Sequence, residues 1–86
     1  MNITDVQITM LKNGEGLKAI AAVVIDNAFV VHDIKIIEAK KGLFIKMPDR
    51  KCTDGNYRDV AHPINHATRK MLQDTILTKY SEVIAK

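Results

Sequence analysis

At 86 residues the chain has room for a single domain, 1–86, and with 47% hydrophobic residues it is too apolar to stay disordered. One cysteine, Cys52, excludes an intrachain disulfide and predicts a reducing compartment. No apolar run approaches the roughly 18 residues of a membrane helix, and the first residues lack a signal core, so a cytoplasmic protein without a membrane partner is expected. The net charge of +3 is unevenly placed: residues 1–41 hold five Lys/Arg against five Asp/Glu, whereas residues 42–86 hold eight against five. A basic half suits a polyanionic partner, and it equally suits plain solubility.

The elements follow in order. Val6, Ile8 and Met10 alternate with Asp5, Gln7 and Thr9, the period-2 signature of a strand with one wet face. Asn13-Gly14-Glu15-Gly16 reads as a turn. Residues 17–25 form a second strand, apolar on both faces beyond Lys18. Asp26-Asn27 is a two-residue hairpin turn leading to a third strand over 28–37. Lys40-Lys41-Gly42 turns the chain into a short fourth strand, 43–47, which Pro48 ends because proline cannot donate to a ladder. Residues 49–61 read as a polar loop with a turn at Thr53-Asp54-Gly55-Asn56.

From Pro63 or Asn65 onward the period changes to 3.6. Ile64, Met71, Leu72, Ile76, Tyr80, Val83 and Ile84 fall on one stripe, with Pro63 suited to a first turn and Asn65 to a cap. The fold class is therefore α+β: a four-stranded antiparallel β-meander followed by one long C-terminal amphipathic helix. Such a sheet is about 19 Å wide, and one helix about 10 Å across cannot cover a face of it. Since the second and third strands are apolar on both sides, a second copy of the chain is expected to cover the remainder, sheet to sheet or edge to edge, giving a homodimer.

The strongest functional signal is basic. Arg50 and Lys51 are adjacent, Arg58 lies seven residues beyond Lys51, and Arg69 and Lys70 sit near the helix start, where free backbone N–H groups also favour anions. Tyr57 beside Arg58 could stack on an unpaired base. The bland alternative is a solvated surface with Arg58 paired to Asp54 or Asp59. His62 and His66 are four apart, but His62 precedes Pro63, outside the helix, and a loop-bracing role suits it better than metal binding. His32, beside Asp33 in an apolar strand, suits a structural hydrogen bond. Cys52, His62 and Asp59 are the right residue types for nucleophile, base and orienter, yet no spacing or glycine-rich elbow demands that arrangement, and no enzyme, cofactor or small-molecule substrate is expected.

Several linked segments carry a family resemblance: Lys18-Ala19-Ile20-Ala21, Ala28-Phe29-Val30-Val31-His32-Asp33-Ile34, Gly42-Leu43-Phe44-Ile45, Met47-Pro48, Asp54-Gly55 and Arg58-Asp59-Val60-Ala61-His62-Pro63-Ile64-Asn65. In this order they resemble the septation protein SpoVG family of small bacterial regulators, over residues 3–80. The resemblance implies a dimer of small antiparallel sheets with C-terminal helices. It implies DNA binding, with RNA also associated, and a role in septation and gene regulation. It places nucleic-acid contacts on the basic loop after the fourth strand and on the helix, here Arg50 and Lys51, then Arg69 and Lys70; Arg58 joins them on charge alone. One departure stands out: Cys52-Thr53-Asp54-Gly55 occupies the place where the family pattern has Thr-Pro-Asp-Gly. The alternative is a non-catalytic protein–protein interaction module acting in septum formation without direct nucleic-acid contact.

Overall fold

A computed structural model describes residues 2–11 and 16–85. Four strands, β1 (Ile3–Met10), β2 (Leu17–Ile25), β3 (Phe29–Ala39) and β4 (Gly42–Lys46), form an antiparallel sheet in the order β1-β2-β3-β4. A two-stranded ribbon follows, β5 (Asp49–Lys51) and β6 (Tyr57–Asp59), and then one helix, α1 (His66–Ile84). The meander and helix match expectation. The ribbon does not: residues 49–61 are not a featureless loop. The turn expected over Asn13 to Gly16 lies mostly outside the described residues.

The β2–β3 connection shows why the chain reverses where it does. Asp26 and Asn27 take φ of 52° and 51°, the left-handed values a tight primed hairpin demands and that Asp and Asn tolerate. The amide of Ala28 donates to the Ile25 carbonyl at 3.0 Å, closing the turn. The chain's N-terminal end is tied to the same corner, where Asn2 donates to Asp26 Oδ1 and Asn27 donates to Thr4 Oγ1, each at 3.0 Å.

One face of the sheet carries the core. Ala19, Ala21 and Val23 of β2 alternate inward with Ile34 and Ile36 of β3 and Ile45 of β4, and Leu72, Ile76 and Tyr80 of α1 close over them. The helix packs against both edge strands, β1 and β4, so it spans the sheet. The small alanines of β2 let it sit close. Burying each large aliphatic side chain contributes about 1.5–3 kcal/mol, so Ile34, Ile36, Ile45 and Ile76, all essentially inaccessible, supply much of the stability.

The predicted helical stripe needs correcting at its ends. Ile64 is 88% exposed and precedes the helix, and Ile84 is 54% exposed in its last turn. The helix starts where the cap was expected: Asn65 is extended, and its Oδ1 accepts from the Thr68 amide at 2.8 Å.

The β2–β3 ladder slips between Ala21 and Val23. Ala21 faces Ile34 but Val23 faces Val31, so His32 and Asp33 together oppose Ala22. Asp33 absorbs the extra residue with φ of 64°. His32 is exposed at this bulge. The third strand also continues beyond its partner, because β4 pairs only with residues 35–39.

Candidate nucleic-acid interface

The ribbon grows directly from the end of β4. Pro48 has no N–H to donate, but its carbonyl accepts from the Val60 amide at 2.7 Å, which brings the two ends of the excursion together. Lys46 Nζ lies 3.3 Å from Asp49 Oδ2 at the base. At the tip, Cys52 N–H donates to the Asn56 carbonyl at 2.7 Å, and Asn56 N–H donates to Asp54 Oδ1 at 3.0 Å. Gly55 takes φ of 88°, the conformation for which a glycine is needed there.

Between base and tip the register is Asp49 opposite Asp59, Arg50 opposite Arg58, and Lys51 opposite Tyr57. Residues directly opposite share a face, and successive residues alternate. The ribbon thus sorts its charges: Arg50 and Arg58 stand together on one face, while the two aspartates share the other with Lys51 and Tyr57. Arg50, Lys51, Tyr57 and Arg58 are all exposed. Arg58 reaches Asp54 Oδ2 only at 3.9 Å with both side chains wet, a weak pairing. Among the described residues Arg50 has no ion-pair partner.

Two guanidinium groups held side by side are an unfavourable arrangement in isolation. They become favourable when an anion with several oxygens, such as a phosphate, sits between them, because arginine donates in a planar fork that matches such groups. The neighbouring Tyr57 ring is 66% exposed and could lie against a base.

The helix cations form a second group. His66, Arg69 and Lys70 line one shallow cleft with Gln73, and Ile64, Asn65, His66 and Arg69 contribute to another. Neither cleft includes a ribbon residue. The first turn of α1 carries no acidic side chain. Cations therefore crowd the positive end of the helix dipole, which also disfavours them unless an anion is present. The five sequence-predicted cations resolve into two sets, Arg50, Lys51 and Arg58 on the ribbon and Arg69 and Lys70 on the helix. Sequence reasoning missed His66 as a neighbour of the second set and the face-to-face arginines of the first. Two short charged segments, Asp49-Arg50-Lys51 and Tyr57-Arg58-Asp59, flanking an Asp-Gly turn, are the signal that could have found them.

The other candidates are dispersed. His62 Nδ1 lies 3.0 Å from the Pro63 carbonyl, within hydrogen-bonding range, and so braces the loop. Cys52 is at the ribbon tip and Asp59 at its base, on opposite ends of the hairpin. Among the described residues no three His, Cys, Asp or Glu side chains come together as metal ligands would. No described helix is long and apolar enough to cross a membrane.

Comparison with known proteins adds a family. A family model described as SpoVG matches residues 1–82. A relative from Agathobacter rectalis named septation protein SpoVG is 55% identical over 84 residues, 98% of this chain and 97% of its own length. A relative of the same name from Caldicellulosiruptor bescii is 53% identical over 85 residues, 99% of this chain and 97% of its own. One from Phytoplasma australiense is 48% identical over 84 residues, 98% and 88% respectively.

Proposed function

Because the chain belongs to the SpoVG family, and because its arginines are paired on an exposed ribbon, we propose that it is a non-catalytic regulator that binds nucleic acid as a homodimer and acts in septation. DNA is the principal partner, with RNA a second. The septation role follows from the names of its relatives.

The observation that carries the nucleic-acid reading is the Arg50–Arg58 pair. A phosphate backbone supplies the anions that make this pair favourable, and a narrow two-stranded ribbon is a shape that reaches into a groove. Arg50, Lys51 and Arg58 neutralise phosphates, and Arg69 and Lys70 extend the track along the helix start. Contacts of this kind position the protein without reading sequence.

The test is salt dependence. If the three ribbon cations of each subunit supply the phosphate contacts, a dimer makes about six, and the logarithm of affinity for duplex DNA falls with the logarithm of salt at a slope near −5. Fluorescence anisotropy of a labelled duplex, titrated at several salt concentrations, measures it. A flat response, or no binding at low salt, overturns this reading in favour of a protein-interaction module.

A further inference from the structure

β1 forms one edge of the sheet, opposite the edge that leads into the ribbon. It pairs with β2 and, among the described residues, has no strand on its other side. A bulge at Thr4 disturbs its start, since Ile3 faces Ile25 and Asp5 faces Val24; from Asp5 to Met10 the ladder runs unbroken. That stretch gives about 20 Å of regular edge. Natural sheets blunt such an edge with lysine or proline, and Ile3–Met10 contains neither. An extended peptide laid alongside would satisfy the amides and carbonyls on the free side and add a strand to the sheet.

A cleft of about 450 Å³ borders that edge, between the first residues of β1 and the second half of α1. Its charge is the reverse of the ribbon's. Asp5 of the strand and Asp74 and Glu82 of the helix line it, against one cation, Lys79. All three carboxylates are exposed, and among the described residues none makes an ion pair. Asp74, Thr78 and Glu82 are spaced four apart, so they share one stripe of α1 beside the buried Ile76 and Tyr80. Asp5 joins them from the other end of the chain. In a molecule of net charge +3, this corner is a local inversion of sign.

The charges choose among occupants. Nucleic acid is repelled here. A second copy placed by a two-fold axis would set the carboxylates against their own copies, and like charges so juxtaposed are costly. A cationic peptide is attracted. We infer that the β1 edge and this cleft dock an extended, lysine- or arginine-rich segment of another protein, its backbone pairing with residues 5–10 and its cations reaching Asp5, Asp74 and Glu82. The cleft shares no residue with the ribbon or with the cations at the helix start. This inference therefore goes beyond the nucleic-acid reading and does not depend on it.

The test uses a labelled peptide of strictly alternating lysine and valine, with two controls: glutamate in place of every lysine, and proline in place of every second valine. The lysine–valine peptide is expected to bind the full chain at low salt by fluorescence anisotropy, and to shift the NMR amide signals of Ile3–Met10. The glutamate peptide is expected not to bind. The proline peptide, which lacks the amides a strand must donate, is expected to bind more weakly. The combined variant Asp5→Asn, Asp74→Asn and Glu82→Gln keeps side-chain size at exposed positions and should bind the peptide about tenfold more weakly, with unchanged far-UV circular dichroism. No binding, shifts confined to other residues, or undiminished binding by the variant overturns the site. Equal binding of the proline peptide overturns the strand addition. If the variant does not fold, the wild-type shifts and the two control peptides decide alone. Failure here leaves the DNA salt response standing, and a flat salt response leaves this site standing.

Discussion

Arg50 and Arg58 face each other across the β5–β6 ribbon, two guanidinium groups on one wet face with, among the described residues, only Asp54, 3.9 Å from Arg58, to offset them. The ribbon buries none of its cationic side chains, so its strands are held by backbone hydrogen bonds, the tip turn and the Lys46–Asp49 pair. It lies at the low-stability end of the molecule, where a small electrostatic term is visible.

Removing one arginine should therefore tighten the ribbon. Arg50→Gln takes away the repulsion without breaking an ion pair. At low salt the Cys52 and Val60 amides, which close the two ends of the ribbon, should exchange roughly 1.5- to 5-fold more slowly, matching about 0.2–1 kcal/mol. The difference should vanish at high salt, where exposed charges are screened. Amide exchange followed by NMR at two ionic strengths measures it.

The same pair should dominate the salt response of binding. Replacing both Arg50 and Arg58 with alanine leaves Lys51 as the one ribbon cation in each subunit. The slope should become shallower by about 3 to 4, four contacts per dimer being lost, and affinity should drop alike for unrelated sequences, because phosphate contacts carry no base information. Anisotropy titrations on two unrelated duplexes separate this outcome from a change in preference. A loss confined to one duplex would mean that the arginines read bases.

The helix start allows stability and binding to be moved in opposite directions. Asn65 Oδ1 caps the Thr68 amide at 2.8 Å, so Asn65→Ala should cost about 1 kcal/mol in urea unfolding. Asn65→Asp keeps the cap and adds a negative charge beside the helix dipole, His66 and Arg69. It should stabilise by about 0.3–1 kcal/mol. The same charge should weaken nucleic-acid binding if phosphate approaches this end.

How much of this was legible in the sequence depends on which force set each element. Alternation and turn chemistry placed β1 to β4 and the Asp26-Asn27 reversal, because local sterics decide them. Asn65 announced the helix for the same reason. The ribbon was hidden because its two three-residue strands are polar and carry no hydrophobic alternation, and a short polar segment is weak evidence for a strand without a face to bury. The bulge at His32 and Asp33 was hidden too. Nothing local to Val31 or Ile34 says that both must face inward; the packing of Ala21 and Val23 opposite them does. All five predicted cations are exposed, and their division between the loop and the helix was legible, but the register that sets Arg50 opposite Arg58 follows from a ribbon the sequence did not announce.

The core stripe makes a paired prediction. Ile76 is fully buried and Ile64 is 88% exposed, although both lie on the same apolar period. Ile76→Ala should cost about 2–5 kcal/mol, a large share of the roughly 4–13 kcal/mol available to a chain of this length. Ile64→Thr should stay within about 0.5 kcal/mol. Urea midpoints at matched protein concentration compare them. Equal costs would mean that Ile64 is covered by a partner in solution.

Asp33 ties the local backbone to the open edge. Its φ of 64° lets β3 take the extra residue, and that bulge lies within the stretch left bare by β4. A left-handed residue costs a β-branched side chain about 1–2 kcal/mol, little for Asp and nothing for glycine. Asp33→Gly should therefore unfold within about 0.5 kcal/mol of the wild type, whereas Asp33→Val should lose at least 1 kcal/mol. Urea midpoints of the two variants against the wild type measure the difference, and equal losses would mean that position 33 does not need the left-handed conformation.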